Sequence, residues 1–280
     1  MSISSMLVPV GLDVRDEKVL RYVCGLSAQS VRKVLVVTAV DASGMEAPVL
    51  AAEVDRARER LGAMISYTMP GCEMEVETRV VTGDKIDCIL ALAEQADIDV
   101  ICCGTEGKSV VDALFAGSVS EKLFTSGKVR TMTVRYELLG AVEDPRTLSQ
   151  DFAKRLVVPT DFSASATRAW LSAVERPADA IEVLTALHVL SPAATDADRS
   201  AAEVMLKGLM DIAEEHGVNA RAELRTGDPV TVALAYLDEV KATGVITGQH
   251  GRGRLRQVMM LGGLSMRLLR EAPCPVVVQP

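Results

Sequence analysis

An internal repeat constrains the fold of this chain more than any other sequence feature. Thr82-Gly83-Asp84 recurs as Thr226-Gly227-Asp228, 144 residues later, and Gly104 and Gly107 recur at the same offset as Gly248 and Gly251. Self-similarity at a fixed spacing indicates copies of one structural unit. Two copies of about 140 residues each predict two domains in a chain of 280 residues.

Each copy alternates apolar strand patterns with amphipathic helix patterns. In the first copy, the first two predicted strands are 6–10 and 33–40, and the fifth is 129–135. In the second copy, the same succession of elements begins at Arg155 and ends with a strand at 274–279. This alternation predicts an α/β fold with two tandem open parallel five-stranded sheets and helices on both faces. We expect a first domain at 1–136, a linker at 137–154 and a second domain at 155–280.

Composition and charge exclude several classes of protein. A formal net charge of −8 without a long basic run argues against nucleic acid as a partner, which would call for a basic patch. No stretch approaches the roughly 20 apolar residues of a membrane span, and residues 1–10 do not resemble a signal peptide. Six cysteines without regular spacing indicate reduced thiols and a cytoplasmic protein. We interpret Cys24, Cys88, Cys102 and Cys103 as core residues rather than redox groups.

A glycine-rich stretch follows the fourth strand of the first copy. Its spacing is Gly-x2-Gly-x9-Gly-Ser, formed by Gly104, Gly107, Gly117 and Ser118, and Ser118 opens a helix pattern. Glycines let the backbone pass close to a phosphate, and a helix N-terminus adds free N–H donors and a positive dipole end. The stretch therefore predicts a phosphate-binding loop, with an ordinary turn between strand and helix as the alternative.

This spacing resembles the phosphate loop of the ATP-binding universal stress proteins. The likeness extends over nearly the whole chain, because 156–163 resembles the opening strand of such a domain, 187–189 its second strand end and 272–278 its closing strand. The resemblance implies a tandem universal stress protein with an adenine-nucleotide α-hydrolase-like fold. It also implies an ATP or ADP site, with or without Mg²⁺, at the carboxyl ends of the strands.

The resemblance implies one set of nucleotide-binding residues in each domain. In the first domain these are Asp13, Val40, Gly83, Gly104, Gly107, Gly117 and Ser118. In the second domain they are Asp161, Val189, Gly227, Gly248, Gly251, Gly262 and Gly263. Val40 and Val189 either frame the adenine or belong to the core, and His188 is interpreted as a structural histidine.

Each set departs from the family pattern in a different place. Gly11 stands where the second domain has Asp161, so Asp13 either substitutes for that aspartate or only caps the next helix. In the second domain ten residues separate Gly251 from Gly262, one too many, and Gly263 replaces the serine. The spacing thus narrowly favours the first domain for phosphate binding.

The loop charges differ as well. The first loop carries Glu106, which is unfavourable near phosphate and is offset by Lys108. The second carries Arg252, Arg254 and Arg256, which suit phosphate recognition or form a solvated basic loop.

The sequence offers little for catalysis. It lacks a Ser-Gly-Gly-x-Asp-Ser loop and a His-x-Gly-His motif, and its three histidines are not clustered with cysteines. We expect a nucleotide-binding protein with a regulatory or stress-response role and at most weak ATP hydrolysis. The alternative is an interaction module with vestigial sites. We expect the domains to pair as an intramolecular pseudo-dimer through their last strands, with a homodimer also possible.

Overall fold

The computed structural model describes residues 3–106, 119–249 and 263–280. Its contacts divide the chain into two compact units, Ile3–Gln150 and Asp151–Pro280, called here the first half and the second half. No helix among the described residues is both long enough and apolar enough to cross a membrane.

The first half contains five strands and six helices among its described residues. The strands are β1 (Ser5–Pro9), β2 (Lys33–Val40), β3 (Glu75–Thr82), β4 (Val100–Thr105) and β5 (Arg130–Arg135). The α-helices are α1 (Val14–Cys24), α2 (Ala47–Thr68), α3 (Lys85–Gln95), α4 (Val119–Ser126), α5 (Tyr136–Gly140) and α6 (Arg146–Gln150), and a 3₁₀ turn spans Gly25–Gln29.

All strands of the first half pair in parallel, in the order β3-β2-β1-β4-β5. The inner strands β1, β2 and β4 are largely apolar and buried, and Leu7, Leu35 and Ile101 lie fully buried in one core cluster, whereas the edge strand β3 has no buried residue. From β1 the chain proceeds to β2 and β3 and then returns to the other side of β1 as β4. The carboxyl ends of β1 and β4 therefore form the switch point at which open α/β sheets bind ligands.

The second half repeats this arrangement. Its strands are β6 (Arg155–Pro159), β7 (Val183–Leu190), β8 (Ala220–Thr226), β9 (Gly244–Gly248) and β10 (Val276–Gln279), and they pair in parallel in the order β10-β9-β6-β7-β8. Its α-helices are α7 (Ala164–Val174), α8 (Asp196–Glu215), α9 (Pro229–Glu239) and α10 (Leu264–Glu271), and a 3₁₀ turn spans Ala178–Ala180. The predicted fold class, with two tandem parallel five-stranded sheets, is confirmed.

Residues 137–150, expected to be linker, are folded against the first half. They contain most of α5 and all of α6, and both helices pack on α1. Leu139 and Ser149 are fully buried, and the Gln29 side-chain amide donates a hydrogen bond to the Gln150 carbonyl at 2.9 Å. Packing against α1 thus stabilises helices in a segment whose acidic residues, glycine and proline had suggested a linker.

Two glycines of the second half provide a matched test of its packing. A Cβ at Gly244 would lie 2.5 Å from Phe152 Cε2 and 2.7 Å from the Phe152 carbonyl oxygen, whereas one at Gly208, inside α8, would meet nothing within 4 Å. We expect Gly244→Ala to lower the free energy of unfolding by about 1–3 kcal/mol through overpacking. Gly208→Ala should raise it by up to about 1 kcal/mol, because alanine is the better helix former.

Urea unfolding followed by fluorescence measures both changes. The only tryptophan, Trp170, is fully buried in this half and reports its unfolding. A wild-type midpoint for Gly244→Ala would contradict the packing described here.

Candidate functional site

The chain leaves β1 in a tight turn at the switch point of the first half. The Val10 N–H donates to the Val37 carbonyl at 2.8 Å, and Leu12 adopts a left-handed conformation with a φ of 64°. Asp13 then caps α1, its Oδ1 accepting from the Arg15 N–H at 2.8 Å and the Asp16 N–H at 3.3 Å. Asp13 therefore has the capping role that the sequence left open, and it lies at the edge where a ligand is expected.

A buried carboxylate holds this turn together. Asp16 Oδ2 accepts hydrogen bonds from the Gly11 N–H at 2.7 Å and the Asp13 N–H at 3.1 Å, and the Asp16 residue is only 7% exposed. Burial raises the pKa of Asp16 and outweighs the lowering effect of these hydrogen bonds. The turn after β1 thus depends on a carboxylate that its surroundings disfavour in the ionised form.

The Arg15 guanidinium lies between two carboxylates at this edge. Its Nη2 is 2.9 Å from Asp13 Oδ2, and its Nη1 pairs with Glu106, the residue after β4. Its Cζ lies 5.2 Å from the centre of the Tyr136 ring, within reach of a cation–π interaction. Burial acts to raise the pKa of Asp13, but hydrogen bonds from the Arg15 side chain and from two backbone N–H groups hold it below its ordinary value.

Gly104 has a packing role at this edge. A Cβ there would lie 2.3 to 2.7 Å from ring and hydroxyl atoms of Tyr136, so the absence of a side chain makes room for the tyrosine. The register pairs Thr105 with Arg135 and so brings Tyr136, the next residue, beside the end of β4. Burial raises the pKa of Tyr136. In the described residues this glycine therefore lets an aromatic ring approach the backbone, a role that its spacing alone did not indicate.

Val40 and Gly83 lie together at the same edge, but on the neighbouring strands. The Gly83 N–H donates to the Val40 carbonyl at 3.1 Å, and Gly83 has a φ of 128°, which favours glycine. Asp84 follows as the cap of α3. The remaining predicted residues of the first set, Gly107, Gly117 and Ser118, lie outside the described residues, as does Lys108.

The second half builds the equivalent turn from different groups. Phe162 adopts the left-handed conformation with a φ of 60°, its N–H donates to Thr160 Oγ1 at 3.0 Å, and Asp161 Oδ1 accepts from the Ser163 N–H at 3.0 Å. His188 Nδ1 is hydrogen-bonded to the Thr160 carbonyl at 2.7 Å, and its ring lies 4.5 Å from that of Phe162. These contacts give His188 the structural role that the sequence analysis favoured.

Gly248 and Gly227 both have close neighbours in the second half. A Cβ at Gly248 would lie 2.6 Å from the Ser165 Oγ and backbone carbon, and Ser265 Oγ donates to the Gly248 carbonyl at 2.6 Å. Gly227 has a φ of 147° and donates to the Leu190 carbonyl at 2.9 Å. Gly263 is exposed and caps α10, whereas Gly251, Gly262, Arg252, Arg254 and Arg256 lie outside the described residues.

The strand register corrects one equivalence. Val40 pairs with Thr82, and the residue that pairs with Thr226 in the second half is Leu190 rather than Val189. The predicted match of Val40 with Val189 is therefore wrong by one residue. The spacing between the copies is 150 residues through the first two strands of each half, 144 at the third and fourth strands, and 145 at the fifth.

The two edges differ in charge. Next to the ends of β1 and β4 in the first half, the carboxylates of Asp13 and Glu106 flank the Arg15 guanidinium, and the Asp16 carboxylate lies in the adjacent turn. The second half's edge combines Asp161 with the hydroxyls of Thr160 and Ser163. Among the described residues, no group of three or more His, Cys, Asp or Glu side chains is arranged to hold a metal ion.

The chain belongs to the universal stress protein family. The model of that family matches it twice, at residues 3–135 and 153–280, so the chain is a tandem member. A universal stress protein of Methanocaldococcus jannaschii is 25% identical over 142 residues, which are 46% of this chain and 83% of that protein.

Solved structures show the same fold over the whole chain. A universal stress protein from Archaeoglobus fulgidus superposes with a TM-score of 0.78 at 23% identity, covering 100% of this chain and 99% of that one. The functionally unknown protein PA1789 from Pseudomonas aeruginosa superposes with a TM-score of 0.61 at 13% identity, covering 99% of this chain and 92% of that one.

The Asp16 carboxylate can be tested with two substitutions. Because one oxygen accepts both N–H groups, Asp16→Asn keeps an acceptor, and we expect it to change the free energy of unfolding by less than about 1 kcal/mol. Asp16→Ala leaves both N–H groups without this partner and should cost about 1–3 kcal/mol. Urea unfolding followed by circular dichroism measures both, and equal losses for the two variants would contradict the role of the carboxylate oxygen.

The pH dependence of the same variants has a definite sign. The pKa of Asp16 is raised in the folded state, so the folded protein holds that proton more tightly than the unfolded chain. Wild type should therefore gain stability relative to Asp16→Asn as pH falls through the folded-state pKa, and lose it again as pH rises. A difference that does not change between pH 7 and pH 4 would contradict the raised pKa.

Proposed function

We propose that the protein binds an adenine nucleotide, ATP or ADP, at the carboxyl edge of the first half and acts as a regulatory stress-response protein. The observation that carries the proposal is the position of Arg15. Its side chain is 51% exposed, is anchored by Asp13 and lies beside Glu106, the last described residue before the glycine loop. A cation fixed at a topological switch point, next to a loop with phosphate-binding spacing, suits an anionic ligand.

Arg15 suits phosphate because of its chemistry and its anchoring. A guanidinium presents a planar fork of donors that matches phosphate oxygens. The hydrogen bond to Asp13 limits the rotamers of Arg15, so less side-chain entropy is lost when a ligand arrives. Glu106 occupies one side of the same guanidinium, and an incoming phosphate has to compete with it. On this view Glu106 reduces the affinity and Asp13 keeps the arginine in place.

The remaining described groups fit the other parts of a nucleotide. Val40 and Gly83 lie at the ends of β2 and β3, so a ligand with its phosphates at β1 and β4 would place its base toward them. A Mg²⁺ ion that accompanies phosphates usually needs only one or two protein carboxylates, and Asp13 and Glu106 are suitably located. The hydrogen bonds and lowered pKa of Asp13 make it a poor general base, which agrees with binding without efficient turnover.

Isothermal titration of ATP into single variants tests this proposal. Arg15→Ala and Ser118→Ala each remove a hydrogen bond to a charged group, worth about 1.5–3 kcal/mol, and should weaken binding about ten- to a hundredfold. Glu106→Gln removes the competing charge and should strengthen binding several-fold. The matched control is an Arg252/Arg254 double alanine variant in the second loop, which should bind like wild type.

Two outcomes would overturn the assignment. If only the Arg252/Arg254 variant loses affinity, the nucleotide binds in the second half. If wild type shows no binding at millimolar ATP, the protein is better described as an interaction module with vestigial sites. Each variant should also give the wild-type circular dichroism spectrum, so that lost binding is not lost folding.

A further inference from the structure

A second arginine of the first half reaches the turn after β1. Arg60 is an exposed residue of α2, and its Nη2 donates a hydrogen bond to the Leu12 carbonyl at 2.9 Å, although 48 residues separate the two in sequence. Leu12 is the left-handed residue of that turn, and Asp13, which anchors Arg15, follows it directly. The guanidinium groups of Arg15 and Arg60 are therefore bound to adjacent residues of one turn.

Arg60 differs in its partner from the neighbouring arginines of α2. Arg56 pairs with Glu53, and Arg58 pairs with Asp55 at 2.6 Å, so both are neutralised within their own helix. Arg60 instead binds a carbonyl, and no carboxylate of the described residues forms an ion pair with it. One of its five N–H donors is used in this bond, and its charge and remaining donors can serve an anion.

Arg15 and Arg60 lie toward opposite sides of the turn. Arg15 pairs with Glu106, which follows β4, whereas α2 packs on β2 and β3, and these strands lie on the other side of β1. Arg60 directly precedes Leu61, the first buried residue of α2, and so lies where that helix first reaches the core. A nucleotide with its 5′-phosphates near Arg15 and its base toward β2 and β3 would therefore place its ribose between the two arginines.

The turn has no side chain at the position where the second half has a carboxylate. Gly11 is exposed and corresponds to Asp161 at the 150-residue spacing of the first strands. Apart from its chain neighbours, the described atom within 4 Å of a Cβ built at Gly11 is Asp16 Oδ2, at 3.5 Å. The oxygen of Asp16 is occupied by two backbone N–H groups, and Asp13 is paired with Arg15. The turn therefore leaves space for a ribose substituent and has no free acid at position 11 to repel a negative one.

The choice between an acid and an arginine has a known consequence in nucleotide sites. In dinucleotide-binding α/β folds, a carboxylate accepts a hydrogen bond from the ribose 2′-hydroxyl, whereas a nearby arginine accommodates a 2′-phosphate. The first half has the second combination, because Gly11 replaces the acid and Arg60 supplies the guanidinium. A guanidinium also presents paired donors that match the spacing of phosphate oxygens.

We propose that Arg60 makes the first half selective for an adenine nucleotide that carries a phosphate on the 2′- or 3′-oxygen of its ribose as well as on its 5′-oxygen. This inference rests on the proposed nucleotide site and names the class of ligand that the site takes. Arg15 binds the 5′-phosphate. Arg60 keeps one N–H on the Leu12 carbonyl, which fixes its side chain and reduces the entropy lost on binding, and directs its other N–H groups to the ribose phosphate.

Isothermal titration with three matched ligands tests the selectivity. Adenosine 5′-monophosphate carries the 5′-phosphate alone, while adenosine 2′,5′-bisphosphate and adenosine 3′,5′-bisphosphate each add one phosphate on the ribose. Wild type should bind one bisphosphate about ten- to a hundredfold more tightly than the monophosphate, the factor expected for a hydrogen bond between charged groups. Arg60→Ala should bind that bisphosphate and the monophosphate alike, and Arg60→Lys, which keeps the charge but not the planar fork, should retain part of the preference.

Three further variants separate selection from support of the turn. Arg58→Ala, the matched control, removes the same charge from the same helix and should keep the wild-type ratio of affinities. Arg15→Ala should weaken both ligands by the same factor, because they share the 5′-phosphate. Gly11→Asp introduces the residue of the second half and should lower the preference for the bisphosphate. Each variant should give the wild-type circular dichroism spectrum.

The outcomes distinguish this inference from the nucleotide proposal on which it rests. If wild type binds ATP but binds the monophosphate and both bisphosphates equally, selectivity for a ribose phosphate is wrong and the nucleotide site stands. If Arg60→Ala weakens both classes of ligand by the same factor, or leaves the preference unchanged, Arg60 only supports the turn and the inference is overturned. If wild type binds none of these nucleotides, both proposals fail.

Discussion

The parallel pairing of β1 with β4 is the constraint on which the candidate site depends. It joins the start of the fold to a strand that arrives some 90 residues later, and it places their carboxyl ends side by side. The turn after β1 and the residue after β4 then lie close enough for Arg15 to pair with both Asp13 and Glu106. Without this pairing, these charges would belong to unrelated loops.

The two halves reach the same turn through different chemistry. Leu12 and Phe162 occupy equivalent positions and share an uncommon left-handed conformation. In the first half the turn is held from the helix side by the buried Asp16, because Gly11 has no side chain to offer. In the second half Thr160 and Asp161 supply the acceptors from within the turn. The two turns therefore share a backbone conformation but differ in the side chains that could contact a ligand.

The fold could be predicted well because both the repeat and the strand patterns can be read directly from the order of residues. The start of α8 at Asp196 is also fixed locally, because Thr195 and Asp198 form a capping box there. Capping by Asp13 was foreseen as one of two roles. The contacts of Arg15 and Tyr136 were not foreseen, because each depends on a residue that only the sheet topology brings near. The predicted glycines at Gly83 and Gly227 have positive φ angles, so their turns alone favour glycine.

A crystal structure of the protein with bound ATP is the most direct test of this account. We expect the phosphates to lie within hydrogen-bonding distance of Arg15 in the first half. Arg15 should still pair with Asp13 and should no longer pair with Glu106. A nucleotide bound in the second half, or one in the first half that leaves the Arg15–Glu106 pair intact, would contradict it.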